Sequence, residues 1–327
     1  MTKVSVLVAV YNAEKYLCQC LDSLLSQTLR DIQVICIDDC SDDRSPSLLR
    51  HYAALDSRID VITLPDNRGQ AFARNEGLKI ARGLYTCMLD ADDWFSDDAL
   101  EKAVAVFECH PETDSVLFEV QMVESGKAPY GYEMPPFECL GGNEAFEASL
   151  TWRIHGLYMI RTSLHKCYPY DTTCRLYSDD NTTRIHYLRS RTVRRCTGLY
   201  FYRQHPTSAT HVVTVRRFDY LRANESMLGQ MKEAGATPQQ ISRYENHRWL
   251  NLVDVYMFYH CHGRELPAAD RKYGLEEIKR AWKSINRSML DSRTASKFGY
   301  RPMPSWLLFR AQEWIYFTVR GLIGKNR

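Results

Sequence analysis

The first 125 residues alternate between two hydrophobic periods. "KVSVLVAVY" (3–11) is a continuous apolar run rich in valine, and "EKYLCQCLDSLLSQ" (14–27) repeats Leu17, Leu21, Leu24 and Leu25 at helical spacing. The alternation then recurs. "IQVICID" (32–38) and "IDVITL" (59–64) predict strands, while "DDRSPSLLRHYAAL" (42–55) and "GQAFARNEGLKIA" (69–81) predict helices. "LYTCML" (84–89) predicts a fourth strand, "DDALEKAVAVFECH" (97–110) a fourth helix and "SVLFEV" (115–120) a fifth strand. Apolar strands joined by helical connections imply right-handed crossovers and an α/β fold, a Rossmann-like, mainly parallel sheet with helices on both faces. Ligands of such open sheets bind beyond the carboxyl ends of the strands. The polar residues there are Tyr11 and Asn12 after the first strand, Asp38 and Asp39 after the second, and Asp90, Asp92 and Asp93 after the fourth.

Beyond residue 125 the pattern changes. "GKAPYGYEMPPFECLGGNEAFEASL" (126–150) predicts a Gly/Pro-rich loop and a helix start, and residues 151–217 predict short strands around an Arg-rich segment. "YFYRQHPTSATH" (200–211) predicts a strand running into a loop, and from about residue 218 the chain predicts helices. The expected plan is an α/β domain over 1–217, in two parts (1–125 and 126–217), and a helical C-terminal extension over 218–327. A helix over 305–324 would gather Arg310, Glu313, Arg320 and Gly324 in one narrow sector and leave Leu307, Leu308, Ala311, Trp314, Ile315, Val319, Leu322 and Ile323 on the wide remainder. Such a stripe suits the anionic surface of a cytoplasmic membrane, or packing on the preceding domain or a second subunit.

Charge sharpens this division. The net charge is only +2, yet residues 1–125 carry 11 Lys and Arg against 22 Asp and Glu, a balance of −11. Residues 151–217 carry 12 against 3 and residues 271–327 carry 13 against 4, each a balance of +9. The basic blocks lack the aromatic interleaving of a recognised RNA module, so nucleic acid is not the expected partner. Eleven scattered cysteines predict a reduced, cytoplasmic chain rather than a disulfide scaffold. The opening residues predict no secretory signal, and the apolar runs are too short for a membrane span.

The chemistry concentrates in "YTCMLDADDWFSDD" (85–98). Asp90 and Asp92 stand two positions apart and share a side if the strand continues, with Asp93 one step into the loop. Hard carboxylate oxygens in this pattern suit Mg²⁺ or Mn²⁺ completed by a substrate diphosphate. Helix capping by Asp92 or Asp93 is the plain alternative.

In order along the chain, "VAVYNAEKYL", "VICIDDCSDD", "NRGQAFARNEGLKIARG" and "YTCMLDADDW" resemble the inverting family 2 glycosyltransferases of the GT-A (nucleotide-diphospho-sugar transferase) fold, strongly over about residues 1–125 and more weakly to about 211. The resemblance implies a donor site in which Ala9, Tyr11, Asn12 and Glu14 line the uridine pocket and Asp38 or Asp39 accepts from the uracil imide. It implies that Asn67 and Gly69 shape the turn before Arg74, that Arg74 helps hold the nucleotide, and that Asp90, Ala91, Asp92 and Asp93 approach the diphosphate and its Mn²⁺ or Mg²⁺. The family's Glu-Asp base pair corresponds to "YSDDN", so Asp180 matches the Asp and Asp179 replaces the Glu; either acid instead pairs with Arg175 or Arg184 if the role is structural. "YRQHPTSAT" offers Arg203 or His205 to the diphosphate, with Ser208 in support, and Trp94 either stacks on the acceptor or fills the core. The implied activity is transfer from a nucleotide-diphosphate sugar, UDP-linked, to a glycan or lipid-linked acceptor in bacterial surface polysaccharide synthesis. A degenerate sugar-nucleotide-binding subunit is the non-catalytic alternative. A phosphatase-like enzyme would carry its D-x-D after the first strand, and a nucleotidyltransferase would need a Gly-rich, Arg-containing loop there; neither pattern is present.

Overall fold

The structure is a computed structural model and describes residues 1–174, 177–204 and 213–325. By packing, the chain divides into two compact units, Met1–Arg175 with Thr182–Ser208, and Leu176–Asn181 with Ala209–Arg327. The division falls earlier than the 217/218 boundary read from the sequence, and it assigns residues 176–181 to the second unit.

The first unit follows the predicted alternation: β1 (Val4–Val10), α1 (Leu17–Leu25), β2 (Ile32–Asp38), α2 (Ser45–Leu55), β3 (Ile59–Thr63), α3 (Gln70–Ile80) and β4 (Tyr85–Met88). A two-residue strand β5 (Trp94–Phe95), α4 (Ala99–Cys109) and β6 (Thr113–Glu124) come next. Short strands β7 (Tyr130–Gly131) and β8 (Cys139–Gly141) lead to α5 (Gly142–Leu150), β9 (Tyr158–Arg161), α6 (Thr162–Cys167), α7 (Ser178–Arg189, of which 182–189 fall in this unit) and β10 (Thr192–Gln204). Among the described residues these strands form one sheet in the order β3-β2-β1-β4-β9-β6-β10-β5, with β7 beside β6 and β8 beside β10. β1 to β4 are parallel, β10 is parallel to β6, and β9 runs antiparallel between β4 and β6. The strand–helix alternation carries no sign of β9, because that strand arrives from later in the chain.

Burial on both faces explains why the strands read as unbroken apolar runs. Val4, Val6, Val8 and Val10 pack with Leu17, Leu21 and Leu24 of α1 and with Phe107 of α4, while Leu7, Ile35 and Ile37 pack on Ala73 and Leu78 of α3. Each such side chain contributes about 1.5–3 kcal/mol when fully buried. Gly198 lets α4 press directly on β10, since a Cβ there would stand 2.7 Å from the Ala99 backbone.

A histidine cluster lies inside this unit. Tyr158 Oη and His186 Nδ1 are 2.5 Å apart, Thr86 Oγ1 and His165 Nδ1 are 2.8 Å apart, and His186 Nε2 lies 2.7 Å from the Tyr168 carbonyl. Burial pushes the imidazoles of His155 and His186 down to about 4, and that of His165 well below its usual value.

The second unit is helical: α8 (Asp219–Glu233), α9 (Pro238–His262), α10 (Ala268–Ser284), α11 (Ser292–Ser296) and α12 (Trp306–Leu322), around Trp249, Tyr256, Trp282, Phe309 and Phe317. α9 opens with a Thr237–Gln240 capping box and α12 with Ser305 accepting from Leu308 N–H. α12 packs into this unit by the narrow sector that the sequence reads as its polar side. Phe309, Gln312, Glu313 and Phe317 are buried, and burial pushes the Glu313 carboxyl up to about 8, with Gln312 Nε2 donating to it at 3.1 Å. Phe309 and Phe317 share that sector, and their burial outweighs the cost of taking one acid inside.

The histidine cluster predicts acid lability. Unfolded histidines take up protons below pH 6.5, whereas His155 and His186 stay neutral until about 4, so stability is complete above 6.5 and falls as pH drops through that window. Each histidine contributes a slope of up to about 1.4 kcal/mol per pH unit. Thermal melts across the window check this, and His186→Gln should flatten the slope by one such share.

Candidate active site

Three loops at the carboxyl ends of β1, β2 and β4 carry most of the site, and each is locked by its neighbours. Ala9 lies in β1 opposite Ile37, and Tyr11 emerges into solvent beyond it. Asn12 N–H donates to Ser41 Oγ, Asp42 N–H donates back to Asn12 Oδ1, and Glu14 Oε2 accepts from Arg44 N–H, each at 3.0 Å. Asn12 (φ 51°) and Cys40 (φ 63°) adopt the left-handed conformation that side chains other than glycine disfavour. Held in place at strand ends, such strain is common at ligand sites.

The adjacent acids of β2 divide their roles. Asp39 is consumed by the turn before α3: its two oxygens accept from Arg68 N–H at 2.8 Å and Gly69 N–H at 2.7 Å, while Asn67 Nδ2 donates to its carbonyl at 3.2 Å. Gly69, at φ 88°, is a conformation only glycine adopts readily. Asp38 Oδ1 accepts from Ser41 N–H at 3.1 Å, and Asp38 Oδ2 has no hydrogen-bond partner among the described residues. Asp38 is 1% exposed, as deeply set as Asp39 at 2%.

The acidic loop after β4 is gripped from both sides. Arg74, 1% exposed on α3, forms an ion pair with Asp90 through Nη2. From β10, Tyr200 Oη donates to Asp93 Oδ2 at 2.8 Å and Arg203 N–H donates to Asp93 Oδ1 at 2.7 Å. Asp93 N–H donates to the Asp90 carbonyl at 3.0 Å, closing the turn over Ala91, and Asp90 N–H donates to Tyr200 Oη at 3.3 Å. Asp93 is 2% exposed, and burial together with the charges of Asp90 and Asp92 pushes its carboxyl up to about 8. Its oxygens serve the loop. Arg203 spans the site edge, donating to the Asp92 carbonyl at 2.9 Å and to Gln19 Oε1 at 2.5 Å while its guanidinium lies over Tyr16 and Trp94. Trp94 also stacks on Phe201 with centroids 5.1 Å apart, so its ring is engaged by protein neighbours.

Tyr200 is the residue that sequence reading missed. Nothing local marks it, because its role depends on the pairing of β10 with β5 across 105 residues of chain, Tyr200 opposite Phe95.

Among the described residues no group of three or more His, Cys, Asp or Glu side chains is placed to hold a metal ion. The acidic loop presents Asp90 and Asp92 in partly exposed positions, a donor set that suits an octahedral Mg²⁺ or Mn²⁺ when diphosphate oxygens and water fill the remaining positions. Asp179 and Asp180 lie in the first turn of α7. Tyr177 before them is left-handed at φ 69°, and Asn181 after them donates to the Ala223 carbonyl at 2.7 Å. His205 and Ser208, assigned to the diphosphate from sequence, lie outside the described residues.

EpsH of Bacillus subtilis is 39% identical over 126 residues, a stretch covering 38% of this chain and 36% of that protein. Among solved structures, S. aureus TarS 1-349 in complex with UDP-GlcNAc superposes with a TM-score of 0.76 at 18% identity, covering 99% of this chain and 92% of that one. The mannosyltransferase PcManGT from Pyrobaculum calidifontis in complex with GDP-Man and Mn²⁺ gives 0.53 at 19% identity, covering 99% and 88%. These structural likenesses establish the GT-A fold. The glycosyl transferase family 2 model matches residues 5–182. That match exceeds half of the chain and takes in the ends of β1, β2 and β4 and the turn that carries Asp179 and Asp180; the chain belongs to glycosyl transferase family 2.

Proposed function

We propose that the protein transfers a sugar, with inversion at the anomeric carbon, from a UDP-linked donor to a hydroxyl of a glycan or lipid-linked acceptor in bacterial surface polysaccharide synthesis. The observation that carries this reading is the acidic loop, held between Arg74 and β10 at the carboxyl end of β4, one of four parallel strands. Asp38 Oδ2 supplies the acceptor for a base N–H, at the end of the strand next to β1. TarS, which shares the fold, was solved with UDP-GlcNAc.

In this reading Asp92, with Asp90, holds a divalent cation, and Asp93 keeps the loop in register. A cation bound there supplies charge neutralisation for the departing diphosphate. Arg74 pairs with Asp90 on one side of the loop, and Arg203 borders it on the other. Asp180 accepts the proton of the attacking acceptor hydroxyl, with Asp179 beside it in the same helical turn. The bond formed is from the acceptor oxygen to the anomeric carbon; the bond broken is from that carbon to the diphosphate oxygen.

Donor identity is tested by thermal shift against UDP- and GDP-linked sugars with Mn²⁺, where a donor at about 100 times its Kd stabilises by about 2.7 kcal/mol. A GDP-sugar that stabilises while UDP-sugars do not removes the uridine assignment. Asp92→Asn should weaken Mn²⁺-dependent donor binding and nearly abolish transfer while the melting profile stays native; full turnover in that variant removes its metal role. Asp180→Asn should retain donor affinity and lose about 10² to 10⁴ in kcat. If Asp179→Asn is instead the dead variant, the base is one residue earlier, and if neither substitution alters a protein that binds donor without transferring it, the chain is a binding subunit.

A further inference from the structure

The outer side of α12 is apolar and uncovered. Leu307 is 75% exposed, Trp314 60% and Leu322 83%, and Leu308, Ile315 and Val319 are exposed between them. At 100° per residue these six positions fall within one arc of about 140°, and no charged side chain of the helix lies inside it. The opposite side is anchored by Phe309 and Phe317 in the core of the second unit, so the exposed side is fixed in place rather than left over from a loose tail.

Beside this face opens a pocket of about 710 Å³ lined by Arg264, Arg271 and Arg310, together with Trp314 and Thr318 of α12 itself. No acid lines it. Among the described residues no ion pair joins any of the three arginines to a carboxylate, and the buried Nε of Arg310 has no hydrogen-bond partner. The nearby Glu265 is engaged by His262 at 3.1 Å. Three uncompensated guanidinium groups around a cavity are suited to bidentate capture of phosphate oxygens. Trp314, shared by the pocket and the apolar face, stands at the boundary between the two, the position an amphipathic indole takes at headgroup level.

We propose that this face of the second unit docks on an anionic lipid bilayer, with the apolar side of α12 in the acyl boundary and a headgroup phosphate in the arginine pocket. A second copy of the chain fits less well. A two-fold contact across this face would bring two copies of the same arginine pocket together, and residues 271–327 already carry 13 Lys and Arg against 4 Asp and Glu. A membrane supplies both the apolar phase and the negative charge that the surface lacks. No helix among the described residues is long and apolar enough to cross a bilayer, so the contact is interfacial. It requires neither donor nor turnover and stands or falls apart from the transferase reading.

The test is flotation of the full chain, without donor, on vesicles of phosphatidylcholine alone and of about three parts phosphatidylcholine to one of phosphatidylglycerol. Binding to the mixed vesicles should exceed binding to neutral ones by about tenfold or more at low salt and fall as salt screens the contact. Leu308→Asp with Ile315→Asp should abolish binding to both, and Arg264→Gln with Arg271→Gln should erase the anionic preference alone. Because all four positions lie outside the packed core, thermal melts of these variants should match the native protein, which separates lost docking from lost folding. Equal binding to both vesicle types by the native chain, or retained flotation of the double aspartate variant, overturns the proposal. So does a concentration-dependent dimer that the aspartate substitutions dissolve and vesicles fail to displace, an outcome that assigns the face to a second copy.

Discussion

Two hydrogen bonds to one buried carboxylate hold the candidate site together. Asp93 sits next to Asp90 and Asp92, and burial with like charge would ordinarily expel it. Tyr200 Oη and Arg203 N–H, both from β10, hold it in place. The consequence reaches beyond one residue: with Asp93 pinned, the turn over Ala91 closes on the Asp90 carbonyl, Asp90 meets Arg74, and Asp92 is carried to the loop surface. The acidic triplet is therefore divided in function. One carboxylate is paired with an arginine, one is a structural strut, and one is presented outward.

The same economy governs the other loops. Asn12 and Glu14 spend their polar atoms on the loop after β2, and Asp39 spends both oxygens on the turn before α3. These residues shape the cleft through contacts with one another, and the backbone strain at Asn12 and Cys40 is held by those contacts. Toward solvent the loops carry the exposed Tyr11 and the partly exposed Asp90 and Asp92.

The C-terminal helix shows how a periodicity can be legible while the side that turns inward is left open. An amphipathic helix over the tail follows from the spacing alone, and convention turns the apolar side inward. Here Phe309 and Phe317 belong to the sector that also carries Glu313, and the aromatic core of Trp249, Tyr256 and Trp282 selects them. Glu313 enters with its carboxyl raised to about 8, while leucines face out.

Much was legible in the residues. The strand and helix runs of the first unit follow from local hydrophobic period, which depends only on neighbours a few positions apart, and the clustering of Asp38, Asp39, Asp90, Asp92 and Asp93 at one edge follows from parallel topology. The family resemblance likewise rested on short contiguous motifs. Tertiary structure alone decided the rest: the entry of β9 between β4 and β6, the pairing that brings Tyr200 to Asp93, the choice of Asp39 over Asp38 for the turn, and the outward face of α12. Each of these depends on which of several equally apolar or equally acidic residues meets a partner distant along the chain. Local periodicity carries no record of that partner, because strand pairing and helix docking are selected by the packing of the whole core.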